Sequence, residues 1–328
     1  MPMTKRLLAP LLMASLLSPA VFAAPSPEQL EQQFIDSQSQ QGFTREQVQQ
    51  FLASAKYEPK VIEAITKPWE AKPWYKYYPI FLTDDRLQAG LAFWHQHETS
   101  IARAAEQYQV DPQIIVAIIG IETKYGQVMG SYPVKDALYT LGFYYPPRAD
   151  FFRREFGKFM ELVQHERLDA NNTLGSYAGA MGFGQFIPSS YLAYAVDFDG
   201  DGRRDLLSSP DDAIGSVANY FHRHGWQRGG LVTVPLATKS PPHAAVWHGK
   251  PLNQTVNDIL SPDVALEYSV DLDVSQPAML IALEQPEGQQ YWLGLKNFYV
   301  ITRYNRSPLY AMAVYQFSEQ LRKAHAAQ

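Results

Sequence analysis

The 328-residue sequence contains no cysteine. That excludes disulfides, thiol catalysis and the acylated cysteine of a lipoprotein. It also lacks a dense basic stripe: 28 Lys and Arg face 33 Asp and Glu, for a net charge of −5. Nucleic acid is therefore a poor partner. Beyond the leader, no apolar run is long enough to span a bilayer. No H-E-x-x-H occurs, and His95/His97 and His222/His224 have no cysteine partner, so they read as surface or capping groups rather than a zinc site. No internal repeat is present. What the chain does have is aromatic surface, with 20 Tyr, 6 Trp and 13% aromatics overall. Such a composition suits a neutral or sugar-like ligand, although Tyr and Trp also serve ordinary cores.

The opening "MPMTKRLLAPLLMASLLSPAVFA" has Lys5 and Arg6 as a basic n-region and an apolar stretch over 7–17. Val21-Phe22-Ala23 completes it as a small-residue cleavage site. It reads as a secretory signal peptide over 1–23. Cleavage after Ala23 removes two positive charges and takes the net charge from −5 to −7. The expectation is a soluble exported protein, most simply periplasmic.

Residues 24–110 read as an N-terminal helical domain. "SPEQLEQQFIDSQSQQ" and "TREQVQQFLASA" each begin with Ser or Thr and an acid at capping-box spacing. "TKPWEAKPWYKYYPIF" reads as an extended strap, and residues 84–109 carry one continuous 3.6-residue pattern. Residues 111–226 remain mostly helical. From 227 to 295 the texture changes to short strands with turns, and 296–328 return to helix. The fold class is mainly α (α+β), with a small β-rich insert before a helix that closes the body.

Three motifs carry chemistry. In "QIIVAIIGIETKYG", Asp111 is a candidate N-cap, Pro112 a first helical residue and Gly126 a C′ residue. Glu122 lies i+3 from Ile119, i+4 from Ile118 and i+7 from Ile115, so it belongs to the greasy stripe. Desolvation and the negative helix end both push its pKa up, as a general acid requires. The plainer reading is an exposed last-turn residue or one paired with Lys124 or a distant Arg.

In "DFDGDGRRDLLSSPDDAIG", Asp197, Asp199 and Asp201 take positions 1, 3 and 5 of an EF-hand loop, with Gly202 at 6. Arg203 offers its carbonyl and Asp205 stands at position 9. Ser208 replaces the bidentate Glu of position 12, so Asp211 or Asp212 has to supply that carboxylate. The plainer reading is a turn. "GSYAGAMGFGQFIPSSY" sets Ser176 and Gln185 in a Gly-rich stretch where backbone can approach a ligand closely. It is no nucleophile elbow, because Leu174 stands where that motif needs its first Gly. Nor does it follow a strand and open a helix as a dinucleotide loop would.

Together "IIGIETKYG", "GSYAGAMGFGQFIPSSY", "DFDGDG", "DAIGSVANYFHRHGW" and "TRYN" closely resemble the MltB-type lytic murein transglycosylases (glycoside hydrolase family 103) over roughly residues 30–320. The resemblance implies a lysozyme-like core flanked by a helical and a small β domain, with Glu122 as the single acid/base. It implies substrate-binding roles for Ser176, Gln185, Tyr220, Tyr304, Asn305 and Tyr310. It implies structural Ca²⁺ held by Asp197, Asp199, Asp201, the Arg203 carbonyl and Asp212, with Asp211 as a rival. The implied partner is the peptidoglycan glycan strand, cleaved between N-acetylmuramic acid and N-acetylglucosamine to leave 1,6-anhydro ends. Protein partners are left open by the sequence, cell-wall synthesis proteins among them. Some members are lipoproteins, and the missing cysteine places this chain among the soluble ones.

Overall fold

The computed structural model describes residues 25–67 and 72–328. The signal-peptide expectation for 1–23 lies outside the described residues. Within them the chain forms fourteen α-helices and two antiparallel sheets.

The first two helices start as their caps dictate. Ser26 and Thr44 each accept the N–H of the third helical residue, whose side chain returns to the cap N–H. The partners are Gln29 and Gln47 rather than acids, because Glu28 and Glu46 stand only two residues after their caps and the ring closes on the third. The continuous pattern over 84–109 is interrupted. His97 leaves the helical conformation and divides it into Asp84–Gln96 and Glu98–Tyr108. Part of the expected strap, 68–71, lies outside the described residues. The rest of it is not extended, because Trp74–Tyr77 and Tyr78–Ile80 are short helical turns. Burial of Trp74 and Tyr77 outweighs the local proline signal.

Helix Pro112–Thr123 runs through the middle of the body, with every residue from Ile114 to Ile121 buried. It packs against Asp84–Gln96, Glu98–Tyr108, Pro210–Arg223 and Pro308–Ala326. β-branched residues cost a helix at most about 0.7 kcal/mol each. Burying each Ile or Val returns about 1.5–3 kcal/mol, so burial decides the conformation.

The β-rich segment forms a five-stranded antiparallel sheet in the order Gln254–Thr255, Pro277–Gln285, Gly288–Gly294, Thr233–Thr238, Val264–Leu266. Strand Pro277–Gln285 faces two ways, as a period of two requires. Met279, Ile281 and Leu283 join the main core. Ala278 and Leu280 instead meet Val234, Leu236, Val256, Ile259 and Leu293 in a second, smaller core. The sheet is thereby fastened to the helical body through one of its faces.

Candidate active site

Glu122 is the second-last residue of helix Pro112–Thr123. The helix begins at Pro112, but Asp111 does not cap it. Its carboxylate instead accepts from the Trp226 indole at 2.9 Å and from the Gly229 N–H. At the other end the turn comes earlier than expected. Lys124, Tyr125 and Gly126 are all left-handed, with φ of 50, 60 and 86°, and Lys124 rather than Gly126 caps the helix. A non-glycine residue there costs about 1–2 kcal/mol, so tertiary contacts must hold it. Tyr125 supplies them. Its ring stacks on Phe93 at 5.0 Å, and its hydroxyl fits beside Gly90 and Gly120, where a Cβ would come within 2.4 and 2.3 Å.

In this apolar helix Glu122 is half-buried. Among the described residues its one hydrogen-bond donor is neutral: the Tyr310 hydroxyl donates to Oε1 at 2.5 Å. Burial pushes the Glu122 pKa up to about 7, and the Tyr310 bond opposes this only in part. Tyr310 itself is buried, so it is not a face on which a sugar stacks. Its hydroxyl is pushed well above the usual phenol range by burial and by the nearby Glu122 charge, and therefore stays a donor.

Of the other expected residues, Tyr304 lies near enough for the Glu122 charge to help raise its hydroxyl pKa, after burial. Tyr304 donates to the Gly184 carbonyl at 2.5 Å, and a Cβ at Gly184 would crowd that hydroxyl at 2.9 Å. Tyr220 is buried and donates to the Arg303 carbonyl at 2.5 Å, its ring 4.7 Å from Tyr304 and stacked on His224 at 4.1 Å. Both tyrosines thus brace the Gly-rich segment and the returning chain. Gln185, left-handed at φ 50°, donates to the carbonyls of Met129 and Gly182. Ser176 accepts from the N–H groups of Ala178 and Ala180 and so closes the Gly-rich turn. Asn305 accepts from Ser307 N at 3.1 Å, a local turn at the start of Pro308–Ala326.

The sequence did not single out Thr123, although it ties the end of the Glu122 helix to the Gly-rich segment. Its hydroxyl donates to the Phe183 carbonyl at 2.9 Å and accepts from Gly126 N at 3.0 Å. A Thr directly after the acid, at the last helical position before a tight turn, was the available signal.

The Asp-Gly loop gathers carboxylates of Asp197, Asp199 and Asp212, with one oxygen from each lying within 4.8 Å of the others. Asp212 is fully buried. One of its oxygens accepts from Phe198 N at 2.7 Å and Asp199 N at 3.3 Å, the other from Asp205 N at 2.7 Å. Asp197 accepts from Gly200 and Gly202 N–H. Asp201 lies outside the cluster, with its carboxylate on Arg203 N at 2.8 Å. Asp211, the rival, lies beside His97 at 3.7 Å. Asp205 turns to the N–H groups of Leu207 and Ser208. Three converging acids with no cation among their hydrogen-bond donors in the described residues fit a hard divalent metal.

The transglycosylase SLT domain family matches residues 26–319. The chain is 43% identical over 299 residues to membrane-bound lytic murein transglycosylase B of Escherichia coli (strain K12), covering 88% of this chain and 81% of that one. It is similar in structure to soluble lytic transglycosylase SltB1 of Pseudomonas aeruginosa, with TM-score 0.84 and 42% identity over 91% of this chain and 99% of that one. It is also similar to the Escherichia coli lytic transglycosylase Slt35 in complex with calcium, with TM-score 0.82 and 42% identity over 90% and 94% of the two chains.

Proposed function

The chain belongs to the transglycosylase SLT domain family, and on that premise we propose that Glu122 is the acid and then the base of a lytic cleavage of murein. The enzyme is a peptidoglycan lytic transglycosylase with a lysozyme-like fold. The observation that carries the proposed role is the setting of Glu122, a carboxyl with one neutral donor and a pKa of about 7. A retaining two-carboxylate glycosidase would hold a second acid about 5 Å away. Among the described residues, the causes that set the proton affinity of Glu122 are burial, which raises its pKa, and the Tyr310 hydroxyl, which lowers it.

Protonated Glu122 gives its proton to the oxygen joining N-acetylmuramic acid to N-acetylglucosamine, and the bond from that oxygen to C1 breaks. The N-acetyl group of the substrate stabilises the cation at C1. Glu122, now a carboxylate, takes the proton of the C6 hydroxyl while O6 bonds to C1. The 1,6-anhydro ring closes, no water is consumed, and Glu122 ends protonated. Tyr310 holds the carboxyl in one rotamer through both halves. Ser176, Gln185, Tyr220, Tyr304 and Asn305 shape the cleft that receives the glycan strand.

Asp197, Asp199 and Asp212 would hold calcium, while Asp201 and the Arg203 carbonyl, the other expected ligands, would join only if the Asp201 carboxylate left Arg203 N. Bound there, the ion neutralises the mutual repulsion of the acids and stiffens the loop. Among the described residues no helix is long and apolar enough to cross a membrane. The leader-like pattern read over 1–23 supports a periplasmic location, and a chain without cysteine has no residue for lipoprotein acylation. Mass spectrometry of fragments from purified sacculi tests the reading. The expected ends are one water lighter than hydrolysed ends. Hydrolysed ends would indicate a muramidase, and no fragments a glycan-binding protein.

A further inference from the structure

We infer that Thr123 is a positioning residue for the reaction, whose hydroxyl sets the Gly-rich segment against Glu122. The inference rests on the reading of Glu122 as the acid. Thr123 is 1% exposed, and its single hydroxyl serves three backbone groups. It donates to Phe183 O at 2.9 Å, lies 3.2 Å from Ile119 O, and accepts from Gly126 N at 3.0 Å. One side chain thus joins the last helical turn, the left-handed turn that ends it, and the Gly-rich segment.

The Phe183 peptide is held from its other side as well. Its N–H donates at 3.0 Å to the carbonyl of Leu206, in the chain that leaves the Asp-Gly loop. Its ring covers Gly126, where a Cβ would meet ring carbon at 2.3 Å. The next residue, Gly184, takes the Tyr304 hydroxyl. Two bridges therefore connect the acid to the Gly-rich segment. One is indirect, through the returning chain, where Tyr310 holds Glu122 and Tyr304 holds Gly184. The other is direct, through Thr123, the covalent neighbour of Glu122. Without the hydroxyl, the Phe183 carbonyl and the Gly126 N–H lose their shared partner, and the direct bridge is lost with helix shape and packing retained.

Thr123→Val keeps the shape and removes the hydroxyl, and Thr123→Ser restores it. Turnover and KM are measured on solubilised glycan strands per folded molecule, alongside hydrogen exchange of the amides of 182–186. Val should lower kcat by about 10- to 100-fold, the scale of an ångström-sized misplacement. KM should change less, and exchange at 182–186 should quicken. Ser should recover most of the kcat. If Val folds poorly, Thr123→Ala assayed per folded molecule makes the same comparison. Wild-type kcat per folded molecule with unchanged exchange would overturn the inference. So would Ser being as impaired as Val, which would assign the effect to the methyl group. Glu122→Gln run in parallel separates the two readings. An active Glu122→Gln protein defeats the acid assignment, whereas an inactive one beside a fully active Thr123→Val protein defeats only the role of Thr123.

Discussion

Glu122 and Asp212 are both acids withdrawn from water, and the fold provides for them in opposite ways. Glu122 receives, among the described residues, a single neutral donor, Tyr310. Asp212 receives three backbone N–H groups and the company of Asp197 and Asp199. Burial raises both pKa values. At Glu122 little opposes it, and the value reaches about 7. At Asp212 the N–H groups of Asp205, Phe198 and Asp199 pull the other way, while the Asp199 charge adds to burial. The number and kind of donors, more than depth, determine whether a buried carboxyl is suited to a proton or to a cation.

The largest expected effect breaks the Glu122 side of this comparison. Glu122→Gln should fold and lose about 10²- to 10⁴-fold in release of fragments from sacculi, the usual contribution of a general acid. Activity within about threefold of wild type would remove the assignment.

The Asp212 side breaks next. Asp212→Asn cannot accept from both flanks at once, because its amide nitrogen faces a backbone donor. It should lose about 3 kcal/mol of stability. Calcium should raise the melting temperature of the wild type, since a ligand bound only by the folded state stabilises it. Chelation should lower it, and Asp197→Ala should abolish the response. A melting temperature indifferent to both calcium and chelator would leave the Asp-Gly loop a simple turn.

Both acids were legible in the sequence, and their surroundings were only partly so. The apolar run with Pro112 specified the Glu122 helix, because its periodicity and start signal are local. The alternate aspartates with Gly202 likewise specified the loop. The choice of Asp212 over Asp211 came from the resemblance and not from local spacing, since it depends on which side chain turns inward from helix Pro210–Arg223 and which lies beside His97. Tyr310 was expected among the substrate-binding residues, and the structure buries it with its hydroxyl on the acid. That contact spans 188 residues and exists only after helix Pro308–Ala326 docks. Asp111 looked like an N-cap and serves Trp226 and Gly229, again through a distant partner. Local signals set elements and motifs, and long-range packing sets which polar atoms meet.

A smaller effect sharpens the comparison by taking away the one donor. Tyr310→Phe removes the hydrogen bond that holds the Glu122 pKa down, so the pKa should rise above about 7. The high-pH limb of the rate profile should move upward while turnover falls. Leaving the carboxyl unpaired should also cost about 1–3 kcal/mol. An unchanged profile with unchanged stability would show that Tyr310 does not bear on the acid.

The smallest effect is on stability and arises from linkage. The Glu122 pKa is raised on folding, from 4.5 to about 7. Between those values the unfolded chain has released the proton and the folded one keeps it, so this group's stability contribution is intact below pH 4.5 and lost as pH rises through 7. Glu122→Gln has no such loss. At pH 8 it should exceed wild type by about 1–2 kcal/mol, allowing for partial exposure. At pH 4 the difference should shrink towards zero. A gap that does not widen from pH 4 to pH 8 would contradict the raised pKa.

The most direct test of acid catalysis by Glu122 is its own titration. Carboxyl ¹³C resonances of glutamate-labelled protein, followed from pH 3 to 9 and assigned by their absence in Glu122→Gln, should show one glutamate with a midpoint of about 7. If Glu122 titrates in the ordinary carboxylate range near 4.5, it is ionised where the enzyme is proposed to donate a proton, and its role as the acid is contradicted.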